Sequence, residues 1–408
     1  MNQPPASNKN RTLIMVLFCL GLLRLVSLGL YPLADTTEAR YAEIARLMTI
    51  SGNWITPQID MGVPFWGKPP LSTWLSALSF NIFGVNEFAA RLPSFLLAVA
   101  VVGLIYCWAQ HLKGKTYALY AAVVLATSAV FFISSGAVMT DPALLLGTTL
   151  SMVGFYRAVN QKLFSRRIWG YWFFVGLALS MLAKGPVGLV LTLAPIGGWV
   201  LYQRCWRETW QRLPWIKGVL LAMALSLPWY ILAERQTPGF LEYFLVGEHW
   251  RRFVDAGWKG DLYGHAHSRP RGTIWYYWLA SALPWSLIAI GYFFSSRWRR
   301  QALSDLRKKP ALTSYLLLWT LAPMLFFTAA GNILWTYVLP GMPAFAMLMA
   351  LLWNQPSNSD NGLWYQRSAI FSKVAIGTTI LFAASLLLMS SNLLPKRKCQ
   401  KELVEAYE

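Results

Sequence analysis

The stretch Leu92-Pro93-Ser94-Phe95-Leu96-Leu97-Ala98-Val99-Ala100-Val101-Val102-Gly103-Leu104-Ile105-Tyr106-Cys107-Trp108-Ala109-Gln110 carries no charged side chain. About 20 such residues, wound as a helix, cross the hydrocarbon core of a bilayer. The pattern repeats along the chain in apolar blocks of about 18–22 residues. Composition agrees with it. Hydrophobic residues make up 56% of the 408 and charged residues 13%, with 21 Trp; soluble domains average about 45–50% and about 25%. A soluble enzyme, a disordered tail and a secreted disulfide scaffold are excluded. The fold class is an all-α polytopic membrane protein.

Eleven spans are expected, at about 12–33, 88–111, 116–135, 141–161, 168–183, 186–203, 216–233, 273–295, 311–330, 336–353 and 369–391. The amphipathic segment near 70–83 reads as lying in the interface. Lys9 and Arg11 precede the first apolar run, which contains Arg24 and lacks a small-residue cleavage site, so it reads as a retained span. Arg24 is costly in lipid and should face a partner or cavity.

The net charge of +19 points to membrane orientation here, not to nucleic acid. With the N-terminus (1–11) inside, the inner loops hold Lys113 and Lys115; Lys162, Arg166 and Arg167; Arg204, Arg207, Arg212 and Lys217; and the basic run from Arg297 to Lys309. The short outer connections hold only Lys184. Lys396-Arg397-Lys398, in the tail 392–408, runs against the rule: either the span count is off by one, or a further outer domain follows the final span (354–391), which the helix-like start of 400–408 favours. Cys19, Cys107, Cys205 and Cys399 have neither metal nor disulfide spacing.

Two outer segments are long, 34–87 and 234–272, and eleven of the 17 acidic residues fall on the outer side before the tail. Chemistry is expected there, just above the bilayer. In Asp35-Thr36-Thr37-Glu38-Ala39-Arg40, Asp35 and Glu38 read either as a capping box or as carboxylates that position or deprotonate an acceptor. Arg40 would neutralise a phosphate, or pair with Glu43 or Asp35. Lys68 precedes two prolines that pin it beside Phe65 and Trp66, which suits a lipid phosphate as well as a snorkelling Lys. Asp141-Pro142 has the form of a helix N-cap. Glu248 and Arg252 stand one helical turn apart around His249, as a solvated helix or a site. His265 and His267 lack the further ligands a zinc site wants. Tyr337 sits at the outer end of a span, where Tyr is common.

Taken in order, several strings resemble one family: Asp-Thr-Thr-Glu-Ala-Arg-Tyr-Ala-Glu at 35–43, Phe-Trp-Gly-Lys-Pro-Pro at 65–70 and Phe-Ala-Ala-Arg-Leu-Pro-Ser at 88–94. Thr-Asp-Pro at 140–142, Ala-Lys-Gly-Pro at 183–186, Glu-His-Trp-Arg-Arg-Phe at 248–253 and Thr-Tyr-Val-Leu-Pro at 336–340 follow. The chain resembles the bacterial glycosyltransferases related to the protein O-mannosyltransferases, and among them the lipid A aminoarabinose transferases, over about 12–353. The resemblance implies a helix bundle with juxtamembrane helices in the first outer loop. It also implies an inner-membrane enzyme that moves a sugar from a polyprenyl-phosphate donor to a lipid or glycan acceptor on the periplasmic side, with inversion if the displacement is single. Carried over by motif, Asp35 and Glu38 are the catalytic carboxylates, and Arg40, Lys68 and Lys184 contact the donor phosphate. Asp141, Tyr337, Glu248, His249 and Arg252 line the cavity.

Two departures stand out. The aminoarabinose transferases carry adjacent Asp and Glu before x-Arg, where this chain has Thr37 before Glu38 and its Asp at 35. They also carry Glu before the loop Lys, where this chain has Gly67. The second loss removes a cation ligand, so no metal site is assigned and a divalent cation stays open. The rival readings are a flippase of lipid-linked sugars, which should show inverted repeats and charges at mid-membrane, and an inactive assembly subunit or shortened relative.

Overall fold

A computed structural model of the chain describes residues 6–33, 35–160, 163–255, 258–263, 268–294, 310–353 and 361–391. His265, His267, Asp305, Asp360, Cys399, the inner run 297–309 and the basic tail lie outside the described residues. Apart from one antiparallel pair, β1 (Gln58–Asp60) with β2 (Val63–Pro64), the regular structure is helical.

The chain runs through α1 (Ala6–Ser27), α2 (Thr36–Ser51), α3 (Leu71–Phe83), α4 (Glu87–Lys113), α5 (Lys115–Ala126), α6 (Ala129–Ser134), α7 (Asp141–Asn160), α8 (Leu163–Lys184), α9 (Pro186–Gln203), α10 (Trp206–Arg212) and α11 (Trp215–Gln236). It continues through α12 (Phe240–Glu242), a π-helix (Tyr243–Arg251), α13 (Arg252–Val254), α14 (Thr273–Ser281), α15 (Trp285–Phe294) and α16 (Pro310–Thr328). A 3₁₀ turn (Trp335–Gly341), α17 (Met342–Trp353) and α18 (Asn361–Ser390) complete it. Among the described residues, seven segments are long and apolar enough to cross a membrane: those within α1, α4, α9, α11, α16 and α18, and the unit Trp335–Trp353. This is an all-helical, multi-pass membrane protein. The segment between α1 and α4 carries two helices, α2 and α3, packed on each other, with α3 against α4.

The other four expected spans are helical for reasons that apolar length alone does not capture. The expected single helix over 116–135 is broken between α5 and α6, and the one over 273–295 is broken before Pro284. The two breaks meet. Ala129 N donates to Leu283 O at 3.0 Å and Trp285 Nε1 donates to Thr127 Oγ1 at 2.8 Å, in a buried setting. Irregular backbone at membrane depth survives only where protein satisfies it, and each break supplies the other.

α7 and α8 form the most intimate helix pair. A Cβ at Gly147 would stand 2.6 Å from Ser180 Oγ, and one at Gly154 would stand 2.8 Å from Phe173 N. Ser151 Oγ donates to Phe173 O at 3.0 Å. Small residues let two backbones approach and trade apolarity for packing, which is why α7 falls short in hydropathy yet is buried along most of its length. The pair matters for the site, because Asp141 opens α7 and Lys184 closes α8 on the same side.

Candidate active site

Asp35 caps α2 as its sequence promises: Oδ1 accepts from Thr37 N at 2.7 Å, and the side chain is otherwise exposed. Glu38 does not complete the capping box. It turns inward, where Arg91 donates from Nε and Nη2 to its two oxygens at 3.0 Å each and Val138 N donates to Oε1 at 3.0 Å. Arg91 is fully buried and also donates to Leu28 O, Tyr31 O and Pro32 O. The pair therefore ties α2 and the end of the first span to α4 with a bidentate charged bond, the strong kind. Glu43 is taken by Arg46 at 2.7 Å, so neither acid suggested for Arg40 pairs with it.

Lys68 Nζ donates to Gly67 O at 2.6 Å and to Glu248 Oε2 at 3.0 Å. Arg252 Nη1 lies 3.0 Å from both Glu248 oxygens and 3.3 Å from Asp261 Oδ2. The solvated-helix reading of Glu248 and Arg252 is thereby corrected: the Glu248 side chain is 4% exposed and sits in a π-helix, a form frequent at functional sites. Burial alone would raise the Glu248 carboxyl, but Lys68 and Arg252 outweigh it and hold it below the usual carboxylate range. Tyr263 braces the loop by donating to Pro64 O and accepting from Trp66 N, each at 3.0 Å.

Lys184 Nζ donates to Asp141 Oδ1 at 2.8 Å and stands 4.9 Å from the centre of the Tyr337 ring. Both partners of this pair are almost wholly buried. The positive φ of Gly185 turns the chain from α8 into α9 just behind Lys184. His249 fastens that turn to the π-helix, with Nδ1 2.7 Å from Phe244 O and Nε2 3.0 Å from Lys184 O. Burial pushes its imidazole below the ordinary range.

Two cavities meet at this cluster. The smaller, about 190 Å³, is walled by apolar side chains of α9 and α16, among them Val187, Val190, Phe326 and Phe327. The larger, about 590 Å³, is walled by the first outer loop, with Asp35, Glu38 and Arg40, and by Arg24 and Trp335. Lys68, Asp141, Lys184, Glu248, Arg252 and Tyr337 line both. His249 lines the smaller cavity alone, while Arg40, Lys68 and Lys184 all line the larger. Arg24, as expected of a charge inside a span, is buried and lines the larger cavity, donating to Tyr31 Oη at 3.2 Å and Ile133 O at 2.8 Å.

Arg91, Asp261, Tyr263 and Asn332 brace the site although no motif in the sequence singles them out. Asn332 donates to Arg252 O at 2.7 Å and holds the π-helix end. The lone acidic and aromatic residues of the second outer segment offered no spacing signal.

Residues 11–244 match the family model described as dolichyl-phosphate-mannose-protein mannosyltransferase. The chain belongs to that family. Among curated proteins, the undecaprenyl phosphate-alpha-4-amino-4-deoxy-L-arabinose arabinosyl transferase of Erwinia tasmaniensis is 31% identical over 336 residues, covering 81% of this chain and 57% of that protein. Transferase 2 of the same name from Proteus mirabilis is 34% identical over 320 residues, covering 77% and 54%. The chain thus spans little more than half the length of these relatives. Among solved structures, ArnT from Cupriavidus metallidurans bound to undecaprenyl phosphate shares the fold with a TM-score of 0.75 at 19% identity, over 92% of this chain and 75% of that one. The Archaeoglobus fulgidus oligosaccharyltransferase gives 0.55 at 13% identity, over 97% and 57%. Within the family match lie Asp35, Glu38, Arg40, Lys68, Arg91, Asp141 and Lys184, while Glu248, His249, Arg252 and Tyr337 follow it.

Among the described residues no group of three or more His, Cys, Asp or Glu is placed to hold a metal. At the position before Lys68, a Cβ on Gly67 would stand 2.8 Å from Phe65 Cζ, with Tyr263 close behind.

Proposed function

We propose that this chain is an inner-membrane glycosyltransferase that moves a sugar from undecaprenyl phosphate to an acceptor on the periplasmic side, such as lipid A or another cell-envelope glycan. One observation carries the reading: a narrow groove with apolar walls and a roomier cavity under the first outer loop share a wall of three cations, Lys68, Lys184 and Arg252. A polyprenyl tail suits the first, a sugar and its acceptor suit the second, and a phosphate suits the junction. The larger volume falls in the range of about 300–1,000 Å³ usual for small-molecule sites. The names of the relatives, which print an undecaprenyl-phosphate-linked aminopentose, support the donor class. Eleven spans with the N-terminus inside, as the distribution of Lys and Arg favours, would set the site at the outer surface.

In the reaction the bond between the anomeric carbon and the phosphate oxygen breaks as an acceptor oxygen bonds that carbon. Undecaprenyl phosphate leaves with the bonding pair. Lys68, Lys184 and Arg252, held in place by Glu248 and Asp141, stabilise the charge that grows on it. Asp35, exposed on the cavity wall, takes the proton if the acceptor is a hydroxyl and orients the acceptor if it is already anionic. Glu38, with both oxygens engaged by Arg91, positions the loop that carries Asp35. A single displacement inverts the anomeric configuration.

The test is transfer by purified protein from a panel of undecaprenyl-phosphate sugars to lipid A and other envelope acceptors. Transfer that disappears in Lys68→Ala and Lys184→Ala supports the reading. Donor binding without transfer to any acceptor would sink it.

A further inference from the structure

The last carbonyls of a helix find no partner within it and must be met from outside. Near the end of α8, Met181 O accepts from Gly185 N and from Tyr230 Oη, each at 2.8 Å. Lys184 O, on the last residue of α8, is met from 65 residues further along the chain, by His249 Nε2 at 3.0 Å. The other ring nitrogen, Nδ1, faces Phe244 O at 2.7 Å. Both neighbours are acceptors, so a neutral ring donates to one of them and an imidazolium to both. The contact is close as well as polar. A Cβ on Gly185 would stand 2.6 Å from Phe244 Cζ and 3.3 Å from His249 Cε1. The rings of Phe244 and His249 meet edge to face with centres 4.5 Å apart. The turn after Lys184 is thus seated directly on the π-helix.

The residue before His249 has the complementary task. Glu248 accepts from Lys68 and from Arg252, each at 3.0 Å. Two consecutive residues therefore reach all three cations of the shared wall, Glu248 two of them through their side chains and His249 the third through its backbone. Asp141, on α7, orients the Lys184 side chain, while His249 ties the end of α8 to the π-helix. We infer that His249 is a positioning residue: by donating to Lys184 O it sets Lys184 against Lys68 and Arg252, so that the three cations act as one phosphate site. The phosphate in this assignment rests on the transferase reading; the clamp between α8 and the π-helix does not.

Two amide substitutions separate the two ring nitrogens, since the donor of Gln stands where Nε2 does and that of Asn where Nδ1 does. The experiment compares wild type with His249→Gln, His249→Asn, Lys184→Ala and the Lys184→Ala variant carrying His249→Asn as well, each as the full 408-residue chain in detergent. Without ligand, hydrogen exchange at the amides of Gly185 and Gly188, which bond within the turn, should speed up in His249→Asn and stay near the wild-type rate in His249→Gln. With undecaprenyl phosphate, His249→Asn should lose affinity by up to about tenfold, the net worth of one hydrogen bond, and His249→Gln should keep most of it. In the Lys184→Ala background His249→Asn should lower affinity no further, because its effect passes through Lys184. Gly185→Ala, which pushes the turn off the ring from the other side, should reproduce the Asn behaviour and keeps the test valid if His249→Asn fails to fold. Equal exchange in every variant would overturn the clamp. So would rescue by Asn in place of Gln, which assigns His249 to the π-helix alone. Losses that add in the double variant would overturn the route through Lys184. A wild type that binds no undecaprenyl phosphate would sink the donor reading and the single phosphate site with it, while the exchange rates still decide the clamp.

Discussion

At the scale of single residues, the two carboxylates of the first outer loop part company. Asp35 touches only Thr37 N and faces the cavity, while Glu38 is locked to Arg91. Asp35→Asn is therefore predicted to lower kcat with little change in thermal stability. Glu38→Gln leaves Arg91 buried without a counter-charge, and breaking such a pair costs about 3–5 kcal/mol. Thermal unfolding beside the transfer assay separates the two. Lys68→Ala and Lys184→Ala should each reduce kcat by about 10²–10³-fold, by analogy with the loss of one oxyanion donor. Glu248 adds a pH signature. Its folded pKa is depressed, so its pairing contributes stability fully above the unfolded carboxylate value of about 4.3 and loses it as pH falls through the lower folded value. Unfolding midpoints in acid should show that limb in wild type and lack it in Glu248→Gln. The residue types at 35, 38, 68, 184 and 248 were legible because charge is scarce in this chain and stands out. Who holds whom was not: that Arg91 and not a helix N-terminus claims Glu38 depends on contacts 53 residues apart.

At the scale of elements, the long apolar helices could be read from the sequence because hydropathy is a local property. α7 could not be recognised as fully buried by the same signal, since its Gly147, Ser151 and Gly154 serve contact with α8 at the expense of apolarity. The paired breaks at 127–128 and 282–284 were likewise hidden, because each is tolerable only beside the other. Gly176→Val should expose this dependence. A Cβ there would stand 2.6 Å from Gly147 O and from Ser151 N, so backbones must part. Overpacking of this kind costs about 1–3 kcal/mol or more. Because α7 begins at Asp141 and α8 ends at Lys184, the same change should weaken binding of undecaprenyl phosphate as well as lower the unfolding temperature.

At the scale of the molecule, the proposed function rests on two cavities, one small and one larger, joined at one charged wall. Neither the groove between α9 and α16 nor the polar chamber under the first outer loop could be drawn from spacing, since each is walled by segments far apart in sequence. The family resemblance suggests the donor class and the side of the membrane, and the two cavities suggest where a donor and an acceptor would sit. The most direct measurement is a structure of the protein with undecaprenyl phosphate bound. The phosphate should lie within hydrogen-bonding distance of Lys68 and Lys184, with the polyprenyl chain running along Val187, Val190 and Phe326. A phosphate remote from both Lys68 and Lys184, or a tail filling the larger cavity, would contradict the account.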